Sequence, residues 1–266
     1  MAVDIIENTS QFEIGRVVRR MSDVTRKNFV SFVALSLIFS LPGFVFVFRS
    51  WLAAYLHIPV RPWVPADYAT TALVNSMGSL TISFVFLRLL EATVAHGMMV
   101  TLNGGKASFA ECLAMGLRNA LPLTAIALIG FVAILLGLAV LIVPGVIFAL
   151  AFSVTAPVRV TEHTGITETL SRSAELTRGH RMQIFALLVI YYVLTLAMGF
   201  SLRPLSQLPH FGPGGAMNSI LVLMILSGFE RIFLGLLLAA GVASIYSELR
   251  LVKEGYEPDR LAAVFA

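Results

Sequence analysis

The sequence predicts an all-α, polytopic membrane protein with six transmembrane helices, organised as three parallel repeats of an amphipathic helix plus a helical hairpin. Three observations predict it. Hydrophobic residues make up 58% of the chain and charged residues 13%, with a mean hydropathy of +0.87, a balance with too little polar surface for a soluble domain. The apolar residues come in continuous runs long enough to cross a bilayer, which takes about 20 residues as a helix; a β-barrel would alternate instead. Nine of the 19 Lys and Arg sit in three stretches, beginning at Glu13, Ser108 and Thr167, and each is followed by a long apolar run.

The elements follow in order. Residues 1–28 are polar and mixed in charge, and the first apolar run, Phe29–Phe48, exceeds the 7–15 residues or so of a signal h-region, so it is expected to stay as an uncleaved span. A loop follows with Trp51, Pro59, Pro62, Trp63 and Pro65, its tryptophans suited to a water–lipid interface. The second span lies within Ala69–Leu102, longer than a bilayer needs, so that it projects or tilts. No charge occurs between Arg118 and Arg159, room for two helices back to back with a hinge near Pro144-Gly145. The fifth span covers about Gln183–Phe200. A turn-rich loop with Pro204, Pro209 and Gly-Pro-Gly-Gly at 212–215 leads to the sixth, about Asn218–Ser244.

The basic residues set the orientation. Six spans put 14 Lys and Arg on the side of the N-terminus and three, Arg49, Arg61 and Arg203, on the other, while Arg88 and Arg231 lie within spans. This asymmetry places both termini in the cytoplasm. Merging the third and fourth spans would send the arginines at 159–181 outside. The formal charge of +4 implies contact with anionic lipid headgroups on the cytoplasmic side rather than nucleic acid. Arg19, Arg20, Arg26, Arg172, Arg178 and Arg181 are the candidate membrane-surface cations.

The repeat is visible as Asp23-Val24-Thr25-Arg26-Lys27-Asn28 against Glu175-Leu176-Thr177-Arg178-Gly179-His180; the middle unit, Gly116-Leu117-Arg118-Asn119, keeps only the polar ending. With two spans per unit the orientation is the same in each, so the repeat is parallel. The units run at about 9–102, 106–160 and 163–250, with a short tail at 251–266, all within one membrane domain, 1–266. In the third amphipathic segment Ile166, Leu170, Ala174 and Thr177 share one face and Arg172, Glu175 and Arg178 another; such a helix lies on anionic lipid or packs under the bundle.

Intramembrane charge is the main pointer to function. The second span carries Arg88 and Glu91, three apart and able to pair on one face, and the sixth carries Glu230 and Arg231, about 100° apart on their helix. These four line a polar path or headgroup pocket, or form compensated ion pairs that orient helices; Arg88 and Glu91 could also snorkel to an end. Ser227, Arg231, Gly235, Ala239, Ala243 and Ser247 recur every fourth residue, a strip of mostly small side chains that lets a neighbour approach and turns Arg231 inward. Ala133 and Gly137 form a shorter pair of the same kind.

Other chemistry is absent from the sequence. Asn103-Gly104-Gly105-Lys106-Ala107-Ser108 lacks the spacing of a phosphate loop, the five His show no metal spacing, and no catalytic triad or zinc-protease motif occurs. Neither cofactor nor metal is expected, and the chain reads as no enzyme. Cys112, the single cysteine, is expected to be a reduced packing residue.

Ile142-Val143-Pro144-Gly145, Pro157-Val158-Arg159-Val160 with Glu162, Ser173-Ala174-Glu175-Leu176-Thr177-Arg178-Gly179 and Tyr246-Ser247-Glu248-Leu249-Arg250 together resemble a bacterial integral-membrane family. It is the family of YciC-like proteins and of the membrane domain attached to some glycerophosphodiester phosphodiesterases. The resemblance is best over about 120–255. It implies a six-helix inner-membrane module concerned with lipids or envelope homeostasis; that family's phosphodiesterase chemistry belongs to a separate soluble domain. Two functions remain open: binding or translocation of a lipid or small amphiphile, and a scaffold or homo-oligomer held by helix–helix contacts.

Overall fold

The computed structural model describes residues 12–55, 68–202 and 215–255. Among the described residues every regular element is a helix. Six stretches are long and apolar enough to cross a membrane: Phe29–Phe46, Met77–Leu102, Ala120–Val140, Ile142–Glu162, Arg181–Ser201 and Ile225–Glu254. Most of the two expected loops lies outside the described residues, including Pro59, Pro62, Trp63, Pro65, Pro204 and Pro209.

The helices are α1 (Ile14–Lys27), α2 (Phe29–Tyr55), α3 (Tyr68–Leu102), α4 (Phe109–Arg118), α5 (Ala120–Val140), α6 (Ile142–Ala151), α7 (Thr155–Glu162), α8 (Ile166–Thr177), α9 (Arg181–Leu202) and α10 (Gly215–Glu254). The short helices α1, α4 and α8 gather where α2, α5 and α9 begin and α3, α7 and α10 finish; this is the basic end of the bundle. Two of the junctions use the same device. Asn28, after α1, donates its side-chain N–H to the Val24 carbonyl at 3.1 Å, and Asn119, after α4, donates to the Met115 carbonyl at 3.0 Å. Each thereby adds a second donor to a carbonyl that already accepts the same asparagine's backbone N–H, at 3.1 and 3.2 Å. After α8 the turn is made by Gly179 at φ 92°, a backbone angle that L side chains rarely adopt.

The hairpin within the long apolar run turns earlier than the sequence suggests. Leu141, at φ −161° and ψ 152°, is the break, and Pro144 stands in the first turn of α6. Proline is tolerated there because its absent N–H would have no helical acceptor. The two arms then pack closely: a Cβ on Gly137 would lie 2.8 Å from the Gly145 Cα. The fourth span is also not one helix. It breaks at Phe152–Val154 and resumes as α7. Pro157 explains the interruption, since it cannot donate to the Ser153 carbonyl four residues back.

The core forms around α3 and α10. Both pack along α2, α3 also meets α4, α5 and α7, and α1 lies on α10. Phe32 is fully buried against Gly97, where a Cβ would come within 2.7 Å of its ring. The every-fourth-residue strip on α10 is spent inside the chain: Ala239, Ala243 and Ser247 are buried, and Gly235 faces Leu90 and Ser36. By contrast α9 stands at the edge. Only 6% of its span is buried, against 67% of that of α10.

On α8 the buried face is Thr169, Ser173, Leu176 and Thr177, while Ile166 is exposed and Leu170 half-buried. This corrects the apolar face read from periodicity. Hydroxyls reach the bundle because the end of α6 has a carbonyl to meet: Ser173 donates to the Ala151 carbonyl at 2.7 Å.

Candidate functional site

The four intramembrane charges separate into two groups. Arg88 donates to Glu91 at 2.7 Å, to the Ser153 carbonyl at 3.4 Å, and stacks over the Phe84 ring at 4.9 Å. The carbonyl that Pro157 leaves without a helical donor thus receives one from α3. Glu91 is completely buried, so this pair does not snorkel. It joins α3 to the broken fourth span, as the pairing alternative anticipated.

Glu230 and Arg231 stand differently. Both line a cavity of about 420 Å³ bounded by α2, α3, α9 and α10, with Ser40, Ser83, Tyr191, Thr195 and Ser227 around it. Gly43 and Gly235 leave room for it: a Cβ on Gly43 would meet the Ser83 Oγ at 3.1 Å and an Arg231 Nη1 at 3.8 Å. The two charges point apart, Arg231 toward α2 at Gly43 and Glu230 toward α9, where its Oε1 would lie 3.9 Å from a Cβ on Gly199. Arg231 remains exposed, in a groove between α2 and α10 rather than within packed core. Among the described residues neither makes a hydrogen bond or ion pair. Gly43 and Thr195 each lie 14 residues into their helices, about 21 Å from the basic end at 1.5 Å per residue. Arg88 does not reach this cavity; its neighbours Leu87 and Leu90 do. The single polar path through all four charges is not what the side chains form.

A charged cluster that the sequence reading did not single out holds the basic end together. Glu248 is fully buried and accepts from Arg16 at 2.6 and 2.9 Å and from the Glu13 backbone N–H at 3.2 Å, with Arg20 at 3.5 Å. Glu162 accepts from Tyr246 and from Arg172, each at 2.9 Å, and Arg172 also pairs with Glu254. Arg20 and Arg172 are therefore committed to acids of the chain itself, whereas Arg19, Arg26 and Arg178 are exposed and Arg181 is half-buried. The signal that could have found Glu248 is its position beside Ser247 on the small-residue strip, where a carboxylate needs a cation from elsewhere.

Two further titratable groups pack against the chain itself. Cys112 is buried against Gly97, and its thiol is pushed up to about 11 by burial first and by Glu111 second, the packing role expected of it. His180 stacks on Phe12 at 5.7 Å between ring centres. Among the described residues no group of three or more His, Cys, Asp or Glu could hold a metal ion.

A family model described as a domain of unknown function, DUF7847, matches residues 64–249, more than half of the chain. No curated protein and no solved structure matches. The matched segment runs from before α3 to within α10, so it contains Arg88, Glu91, Glu230 and Arg231. These comparisons lend no support to a YciC-like or phosphodiesterase-membrane-domain relationship.

Proposed function

This chain belongs to the DUF7847 family, a premise that carries no activity, and we propose from its site that it is a non-enzymatic membrane protein that binds or translocates a lipid or small amphiphile. The observation that carries this reading is the cavity at Glu230 and Arg231. It lies among helices long and apolar enough to cross a membrane, is fringed by hydroxyls, and holds two charges with no protein partner among the described residues. Charge in such a setting is costly unless something pairs with it. A ligand with a charged head supplies that partner.

The alternative, a scaffold that oligomerises through its small-residue strip, loses its motivation: Gly235, Ala239 and Ala243 are occupied by the chain's own α2 and α3. In the reading proposed, both termini are cytoplasmic in a bacterial inner membrane, the exposed Arg19, Arg26 and Arg178 touch anionic headgroups, and the role is in envelope homeostasis. The shared asparagine device after α1 and α4 supports an ancestral unit of amphipathic helix and hairpin.

Gentle purification followed by native mass spectrometry tests the binding. Wild type is expected to retain lipid and Arg231→Leu to lose it at unchanged folding; a wild-type protein bare of lipid, in a stable oligomer, would overturn the reading. Orientation is tested with Ser171→Cys, an exposed position on α8, which is expected to react with an impermeant maleimide only after the membrane is opened.

A further inference from the structure

The charges at the cavity specify more than an amphiphile. We propose that the occupant is a phospholipid whose head carries both a phosphate and an ammonium group, the phosphate on Arg231, the ammonium on Glu230, and an acyl chain in a groove between α2 and α10. This rests on the binding reading above and names the ligand class of the same site.

Arg231 borders two spaces. One is the hydroxyl-fringed cavity of about 420 Å³; the other, of about 190 Å³, is a groove with Leu37, Phe44, Ile225, Phe229 and Ile232 on its walls. The first volume lies within the range of roughly 300–1,000 Å³ of small-ligand sites. A guanidinium at the boundary of a polar and an apolar space is placed for a molecule whose charge adjoins its tail. Its planar fork of donors matches phosphate oxygens, and it cannot shed its charge. Ser40, which lines both spaces, adds a hydroxyl at the same boundary.

Glu230 decides the rest of the head. It leaves the helix about 100° from Arg231, so the two carboxylate and guanidinium groups face α9 and α2 respectively instead of each other. A purely anionic head would neutralise Arg231 and be repelled by Glu230 within the same cavity. A head with a cation beyond its phosphate satisfies both. The groove then distinguishes a lipid from a free zwitterion, since a soluble head would leave its apolar walls unfilled.

The test uses the purified chain in neutral detergent with equimolar phosphatidylethanolamine and phosphatidylglycerol of matched acyl chains, read by native mass spectrometry. Wild type is expected to prefer phosphatidylethanolamine by about tenfold, the equivalent of one charge-assisted hydrogen bond. Glu230→Gln should remove the preference while keeping lipid bound, and Glu230→Lys should reverse it; both variants are to match wild type in helicity and elution volume. Equal retention of the two lipids by wild type, an unchanged preference in Glu230→Lys, or full displacement of lipid by soluble phosphoethanolamine would overturn the proposal. Lipid held through Arg231 without head preference would leave the binding reading standing, whereas no lipid at all would sink both.

Discussion

Glu248 and Arg231 lie on the same helix, 17 residues apart, and their surroundings could hardly differ more. Glu248 is wholly buried at the basic end and receives three N–H donors from the first turn of α1 and the residue before it. Arg231 faces a cavity beside the loosely attached α9 and receives nothing from the described residues. Charge by itself therefore does not mark function in this bundle. A charge matched by the chain holds helices together, as Glu248 holds α1 to α10 and Glu91 holds Arg88 beneath the broken fourth span. A charge left unmatched among the described residues, next to space, is the one that asks for a ligand.

The strongest way to break this contrast is to create an unmatched charge at the basic end. Arg16→Ala with Arg20→Ala would leave Glu248 buried with only the Glu13 N–H. Removing the partners of a buried ion costs about 3 kcal/mol or more, so the apparent Tm at fixed scan rate should fall by several degrees and α1 should become accessible to protease. Adding Glu248→Gln should recover much of the loss, because a neutral amide needs no counter-ion. Arg231→Leu, in contrast, should stay within about 0.5 kcal/mol of wild type, as at sites with no packed partner. Equal destabilisation by the two changes would mean that Arg231 is structural after all.

The same substitution at two glycines sharpens the comparison with a smaller effect. A Cβ on Gly116 would lie 2.2 Å from the Thr93 Cγ2, within the packed α3–α4 contact. Gly116→Ala is expected to cost about 1–3 kcal/mol through overpacking. A Cβ on Gly43 meets the Ser83 hydroxyl at 3.1 Å and an Arg231 Nη1 at 3.8 Å, at the wall of the cavity. Gly43→Ala should be nearly silent in thermal unfolding but reduce retained lipid, because it narrows the space beside Arg231. A Gly43 variant as unstable as the Gly116 variant would argue that the cavity closes in the folded protein.

Much of this architecture was legible because membrane insertion writes long-range order into local sequence. Apolar runs and basic flanks give the spans, and the three-residue spacing of Arg88 and Glu91 gives their pairing. What escaped depends on partners distant in the chain. Arg16 and Glu248 are 232 residues apart, and no local pattern joins them. The break at Phe152–Val154 hides in a continuous apolar run, since its cause, Pro157, follows it and its remedy, Arg88, comes from another helix. The hinge at Leu141 precedes Pro144 for a related reason: proline marks the first turn of the helix that follows more often than the turn itself. Periodicity also misjudged α8, where Ile166 and Leu170 promised an apolar contact and Thr169 and Ser173 made a hydrogen-bonded one.

The smallest expected effect asks whether the two ends also differ in their response to acid. His180 lies at the basic end, in the turn before α9, stacked on Phe12 with its Nδ1 buried and unpartnered. Burial, and secondarily Lys253, lowers its pKa from the usual 6.5. A lowered value means that the folded form resists a proton which the unfolded chain accepts. The stabilisation is therefore present above about pH 6.5 and is lost as the pH falls through the lower folded value. Between pH 7.5 and 5.5 the wild-type apparent Tm should fall slightly more than that of His180→Phe, which keeps the stack and removes the titration. Lipid retention at the Arg231 cavity should not follow this difference, because among the described residues His180 meets Phe12 and the α8–α9 turn and not the cavity's lining. If it did, the α8–α9 turn would be coupled to the cavity through α9, and the least buried helix of the bundle would be its moving part.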